Sequence, residues 1–171
     1  KSMKSSLSQP IRGARDFYPE DLTIRNWLFS KWREAARSFG YEEIDGPILE
    51  NFDLFASKSG EELVNGQMYT LLDRDNRKLG VRPELTPTYA RLIAKKFGSL
   101  TFPLRWMMFG NVWRYEKPQT GRVRDFWQWE VNIVGGEENL ADAEVIALAA
   151  SALKATGLTS NDVVFRLNDR R

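Results

Sequence analysis

Phe109-Gly-Asn-Val-Trp-Arg-Tyr-Glu-Lys-Pro-Gln-Thr-Gly-Arg-Val-Arg-Asp-Phe-Trp-Gln128 is the centre of a longer stretch, Leu104 to Gly136, whose reading decides the fold. Two apolar runs, Leu104 to Trp113 and Phe126 to Val134, carry the β-branched and aromatic content of buried strands. The polar segment between them holds Pro118 and Gly121, so the pair reads as a long antiparallel hairpin. Its loop and the adjoining strand ends gather Arg114, Lys117, Arg122 and Arg124, with Glu116 and Asp125 interleaved and Phe126 and Trp127 beside them. Guanidinium groups supply forked donors that suit phosphate oxygens, an aromatic face covers a purine, and a carboxylate accepts from an exocyclic amine. These residue types together describe a nucleotide cradle. Composition alone fits an ordinary solvated hairpin loop equally well.

Working outward, two further stretches have the same density of unusual residues. Upstream lies Val81-Arg-Pro-Glu-Leu-Thr-Pro-Thr-Tyr-Ala-Arg91, and near the start Ile11-Arg-Gly-Ala-Arg-Asp-Phe-Tyr-Pro19, followed by a helical pattern and then Gly46-Pro47. The ordered set Arg114-Tyr-Glu116, Gly121-Arg122-Val-Arg124 and Phe126-Trp-Gln128 closely resembles motif 2 of class II aminoacyl-tRNA synthetases, the histidyl-tRNA synthetases among them. The segment around Glu84 is similar to the one with which histidyl enzymes bind the amino group of histidine. The first segment and its helix are similar to that family's opening and motif 1. The resemblance covers nearly the whole chain. Motif 3, the later histidine-specific segment and the anticodon-binding domain would lie beyond Arg171.

Composition sets the outer bounds. A chain of 171 residues with 42% hydrophobic content can bury one sizeable core, and its length suggests one domain. A net charge of +2 is too mild to demonstrate a nucleic-acid partner. With no Cys and no His, disulfides, thiolate metal sites and the commonest general base are excluded. Any catalysis must rest on positioning and electrostatics, and no metal-binding residue set is expected. No apolar run reaches the ~18 residues of a membrane span and no signal core opens the chain, so a cytoplasmic protein without membrane contact is expected.

Along the chain, residues 1–10 are Ser/Lys-rich and read as a flexible leader, with one folded segment over 11–171. From Glu20 to Phe39, Ile24, Trp27, Leu28, Trp32, Ala35, Ala36 and Phe39 recur at three and four residues, with Pro19 at the start and Gly40 as the stop, which predicts a helix. Tyr41 to Asp45 and Ile48 to Glu50 predict a strand interrupted by Gly46-Pro47. A short helix is expected over Asp53 to Lys58, then a mobile connection at Ser59-Gly60-Glu61-Glu62. Met68 to Leu72 and Lys78 to Val81 read as strands joined by a turn at Asp73 to Asn76. Pro87 suits the first turn of a helix reaching about Phe97, for which Thr86 reads as N-cap or close to it. Capping would account for Thr86 without any ligand. Glu84, just outside the helix, is either a capping acceptor or an anchor for a bound ammonium. Glu137 to Thr156 predicts an Ala-rich helix ended by Gly157, and Val163 to Leu167 a terminal strand.

Helices alternating with antiparallel hairpins argue for an α+β fold, an antiparallel sheet flanked by helices. The resemblance makes this a partial class II synthetase core. It implies a reaction that joins histidine to ATP, giving histidyl-adenylate and pyrophosphate, and then transfers the acyl group to tRNA(His). It further implies that Arg114 bridges the amino-acid carboxylate and the α-phosphate as the catalytic residue. By the same resemblance Glu116 faces the adenine amino group, Arg122 the β- and γ-phosphates with Arg124 adjacent, and Phe126 stacks on adenine. Mg²⁺ would enter on the ATP phosphates. Glu84 and Thr86 match the positions that receive the α-ammonium, and Gln128 one that lines the same pocket.

One position departs from the family pattern. Where histidyl enzymes place Glu or Asp against the imidazole, this chain has Asn132, while Glu130 lies two residues earlier on the same strand face. The helix around Trp27 and Trp32 matches the one that helps build the family's homodimer. Without motif 3 the 171 residues alone are expected to bind ATP at most. Two rival readings are a histidyl-synthetase-like regulatory subunit of histidine biosynthesis and a non-catalytic structural segment.

Overall fold

The computed structural model describes residues 8–57, 63–117 and 119–168. The expected connection at Ser59 to Glu62, Pro118 of the hairpin loop and most of the expected leader lie outside the described residues. The elements in chain order are α1 (Pro19–Ser38), β1 (Glu42–Glu43), β2 (Leu49–Asn51), α2 (Phe52–Ala56), a π-helical turn (Leu63–Gln67), β3 (Thr70–Leu72), β4 (Lys78–Val81), α3 (Thr86–Lys96), a 3-10 turn (Phe97–Ser99), β5 (Leu104–Trp113), β6 (Asp125–Val134) and α4 (Glu138–Ala155). Strands pair in the orders β1-β5-β6 and β2-β4-β3. The second sheet is antiparallel, with Glu50 opposite Gly80 and Leu71 opposite Leu79.

The hairpin read from the sequence is β5 and β6. Arg114 N–H donates to the Arg124 carbonyl at 2.9 Å, and further down Phe109 stacks on Trp129 with ring centroids 5.7 Å apart. Numbers rising on one strand face numbers falling on the other, which is the antiparallel run. β5 is buried along nearly its whole length because aliphatic and aromatic residues occupy both of its faces.

The chain is woven through two compact units. The first comprises residues 1–16, 43–101 and 107–131. Its core is a cluster of Leu85, Met108 and Val112, with Ile44, Leu92 and Phe126 packed on it, and a smaller cluster of Phe55, Val64 and Met68 against Phe52. Gly110 lies between Met108 and Val112 on the same strand face, and its missing side chain has a purpose. A Cβ there would overlap the Leu85 side chain and lie 2.8 Å from Arg82 Nη2, so α3 and its leading loop settle onto β5 only because residue 110 is glycine. The turn between β3 and β4 is closed by Asp73, whose carboxylate accepts the backbone N–H groups of Asp75 and Arg77, each at 2.9 Å.

The second unit comprises residues 17–42, 102–106 and 132–171, and in it α1 packs against α4. Pro19 opens α1 with Glu20 and Asp21 in its first turn. At the other end Gly40, at φ +81°, lets its N–H and that of Tyr41 return to the carbonyls of Arg37 and Ala36. Phe29, Ala35 and Ala36 of α1 and Leu148 and Ala152 of α4 are buried; a phenylalanine so placed contributes about 2 kcal/mol. Ile24 and Trp27, counted in the apolar stripe, are instead exposed, at 66% and 46%.

Beneath the helices Arg105 grips Glu144 through two bonds, Nε to Oε1 at 2.6 Å and Nη2 to Oε2 at 2.7 Å. Hydrogen bonding from Arg105 holds the Glu144 carboxyl below its usual range. Burial first, and then the Glu144 charge, push the neighbouring Tyr41 phenol up to about 12.

One expectation needs correction, and a second is narrowed. Val163 to Leu167 form no strand: this segment is irregular, with its side chains exposed. β-branched content favours a strand only where a neighbour supplies the ladder, and among the described residues none does. Nor is Thr86 a cap. The N-cap position belongs to Leu85, with no side-chain capping bond, and Thr86 is the first helical residue. Among the described residues no helix is long and apolar enough to cross a membrane.

Candidate functional site

The residues singled out on the hairpin cluster at the loop end of β5 and β6 within the first unit. Arg114 follows directly on β5 and is half-buried. Its Nε donates to the Pro83 carbonyl at 3.0 Å, and its guanidinium carbon lies 5.2 Å from the centre of the Phe126 ring. That contact is a cation–π arrangement, which holds the planar group without using its outer donors. Among the described residues neither terminal nitrogen of Arg114 has a hydrogen-bond partner, so both remain for an incoming anion.

The next two arginines are engaged differently. Arg124 donates from Nε to the Glu116 carbonyl at 3.1 Å and stands over the Tyr115 ring at 4.1 Å, while its backbone N–H donates to the Gly13 carbonyl at 2.7 Å. The segment around Gly13 is thereby laid against the start of β6. Beside it the buried Asp125 carboxyl is raised by desolvation, against which the charge of Arg15 and its backbone N–H act. Arg122 is exposed and forms an ion pair with the more buried Glu116 carboxylate. Tyr115, Glu116, Lys117, Gln119, Arg122 and Gln67 line a polar cavity of about 330 Å³.

Alternation along β6 places Phe126, Gln128, Glu130 and Asn132 on one face. Phe126 meets the Leu85 cluster, so this face is the one that α3 covers. Here Thr86 Oγ1 donates to Glu130 Oε2 at 3.1 Å, bringing together two residues that the sequence offered separately. Glu84 is half-buried in the loop just before, between the Pro83 carbonyl that holds Arg114 and the start of α3. Gln128 and Glu130 are likewise half-buried. Asn132 lies two residues beyond Glu130, in the part of β6 that belongs to the second unit.

Arg114 thus lies over an aromatic ring and is tethered by its Nε to the loop that carries Glu84, and the chain as a whole can be set beside known proteins. The family model described as Histidyl-tRNA synthetase aligns with residues 13–169. The chain belongs to the histidyl-tRNA synthetase family. It is 45% identical over 163 residues to the histidine-tRNA ligase of Leptospira biflexa, covering 95% of this chain and 37% of that protein. Among solved structures it is similar to an ATP phosphoribosyltransferase regulatory subunit/histidyl-tRNA synthetase from Bacillus halodurans, at TM-score 0.79 and 30% identity, covering 90% of this chain and 39% of the other. It is also similar to apo histidyl-tRNA synthetase of S. aureus, at TM-score 0.73 and 30% identity, covering 88% and 35%. The chain thus spans between a third and two fifths of the length of these relatives. The α+β architecture is a partial core of the histidyl-tRNA synthetase fold, a class II synthetase fold.

Arg82 was quoted in the sequence and given no role. In the structure its guanidinium is nearly fully buried and bonded on two sides, to Asn111 and Gly46 carbonyls. Only its place directly before Pro-Glu hinted at it, and nothing in its local pattern marks a buried cation.

Proposed function

We propose that this chain forms the ATP- and histidine-binding part of a histidine-tRNA ligase. The observation that carries the reading is the tether between Arg114, set over Phe126, and the Pro83 carbonyl at the head of the Glu84 loop. It joins the nucleotide side of the site to the amino-acid side through one residue. A histidine carboxylate oxygen bonds to the α-phosphorus of ATP, the bond from that phosphorus to the bridging oxygen breaks, and pyrophosphate leaves. In the second step a hydroxyl at the end of tRNA(His) takes the acyl group and AMP departs.

Arg114 serves the first step by holding both anions together and by meeting the charge that grows on the α-phosphate. Phe126 offers its ring to adenine. Glu116 and Arg122 receive the adenine amino group and the outer phosphates only after their mutual ion pair opens, so nucleotide binding exchanges one charge pair for two contacts. Arg124, fixed over Tyr115, keeps the loop in shape. Glu84, Thr86, Gln128 and Glu130 form the amino-acid side, with Asn132 next along β6. Among the described residues no three acidic side chains cluster as a metal site. Mg²⁺ would enter on the ATP phosphates, where it would neutralise charge.

We further propose a homodimer in the cytoplasm, to which the exposed Ile24 and Trp27 of α1 would contribute apolar surface. The test is calorimetry with ATP and with histidine, followed by histidine-dependent ATP–pyrophosphate exchange in the full-length protein. ATP and histidine binding with exchange supports the ligase reading; binding of neither ligand defeats it. The likeness to the Bacillus halodurans protein favours a second reading, a regulatory subunit of histidine biosynthesis, which predicts histidine binding without exchange.

A further inference from the structure

We propose that Arg82 is a positioning residue for the activation step, a buried guanidinium that fixes the Pro83 carbonyl against which Arg114 is held. This rests on the ligase reading given above. Arg82 is 3% exposed. Its Nε donates to the Asn111 carbonyl of β5 at 3.0 Å and its Nη1 to the Gly46 carbonyl at 2.9 Å. Asp45, at 3.4 Å from Nη1, is its ionic partner but is itself 73% exposed in its side chain, so solvent screens that charge and the two carbonyls do most of the holding. The backbone of Arg82 is bonded on both sides as well, its N–H to the Ile48 carbonyl at 2.9 Å and its carbonyl to the Trp113 N–H at 3.1 Å.

Two successive rungs therefore join this short loop to the end of β5. Trp113 N–H meets the Arg82 carbonyl, and Arg114 Nε meets the Pro83 carbonyl. The first rung and the buried guanidinium fix where the second can form, and the second fixes the plane of Arg114. A guanidinium is a rigid fork and reaches both carbonyls at once; an ammonium is a single point on a flexible stem and does not reproduce that span. Gly110 leaves the room the fork occupies. Arg82 touches no substrate in this scheme, so its loss should lower turnover more than affinity.

The experiment is histidine-dependent pyrophosphate exchange in the full-length protein with Arg82→Lys and Arg82→Ala, Arg114→Ala serving as the reference. For Arg82→Lys we expect kcat to fall about tenfold or more while the KM values for ATP and histidine stay within about threefold. For Arg82→Ala we expect millimolar guanidinium to restore part of kcat. The proposal is overturned if Arg82→Lys keeps kcat within about twofold, if KM and kcat change in proportion, or if Arg82→Lys fails to fold, since each leaves Arg82 a purely structural residue. Absence of guanidinium rescue in a folded Arg82→Ala protein also overturns it. A wild-type protein with no exchange would sink the ligase reading and this inference together, which is a different result from wild-type exchange that Arg82→Lys leaves unchanged.

Discussion

Thr86 donates its hydroxyl to the Glu130 carboxylate over 3.1 Å, joining the first residue of α3 to β6 across 44 positions of sequence. The bond puts a carboxylate on the strand face where the family pattern leads one to look for it two residues later, at Asn132. If Asn132 takes that contact in the proposed histidine site, its amide would satisfy an imidazole N–H with its carbonyl but lend no charge, at a cost of about 1 kcal/mol relative to a carboxylate. Asn132→Asp in the full-length protein should tighten histidine binding severalfold and leave the KM for ATP nearly unchanged. Isothermal titration with histidine, together with exchange kinetics, checks this. Weaker histidine binding would transfer the imidazole contact to Glu130.

In the proposed ligase, Arg114→Ala would remove the guanidinium that links the nucleotide side to the amino-acid side through the Pro83 carbonyl. A contact made to charge that grows in the transition state is worth about 3 kcal/mol, or about a hundredfold in rate. Pyrophosphate exchange should fall by that factor with little change in melting temperature, because Arg114 is only half-buried. A rate within about threefold of wild type would remove Arg114 from the mechanism.

Gly110→Ala tests the packing that lets α3 approach β5. The added methyl would overlap Leu85, which is fully buried, and press on the Arg82 guanidinium. Overpacking of this kind costs about 1–3 kcal/mol. Thermal unfolding should shift downward by several degrees, as expected for a loss of about that size. An unchanged melting temperature would mean that α3 and β5 are not held as closely as described.

Glu144→Gln addresses the second unit and carries a pH signature. Because Arg105 holds the Glu144 carboxyl below its ordinary range, the folded state favours the ionised form. The stabilisation is therefore present above the unfolded glutamate range and is lost as pH falls through the depressed folded value. With both side chains partly open to solvent, about 1 kcal/mol at neutral pH is the expected loss in the glutamine variant. Unfolding followed at pH 7 and at about pH 3 should show a gap that closes in acid. A gap of equal size at both would reject the ion pair as its cause.

Local chemistry in the sequence was enough for the hairpin, α1, α3 and α4, because apolar periodicity, proline at a helix start and glycine at its stop act within a few residues of one another. The same chemistry placed Arg114, Glu116, Arg122, Arg124 and Phe126 together, since a hairpin forces its two strand ends to meet. It failed at Val163 to Leu167, where strand-forming residues find no ladder, and it did not foretell that the Thr86 hydroxyl, one residue past the N-cap, donates to Glu130 of β6. Only the tertiary structure could pair Glu116 with Arg122, bury Arg82 between Gly46 and Asn111, and set the Pro83 carbonyl under Arg114. The Arg82 and Arg114 contacts depend on where the chain returns after excursions of 29 to 36 residues, and a hydrogen bond forms or fails over a few tenths of an ångström. Residue type and spacing specify which groups are available; the path of the backbone decides which of them meet.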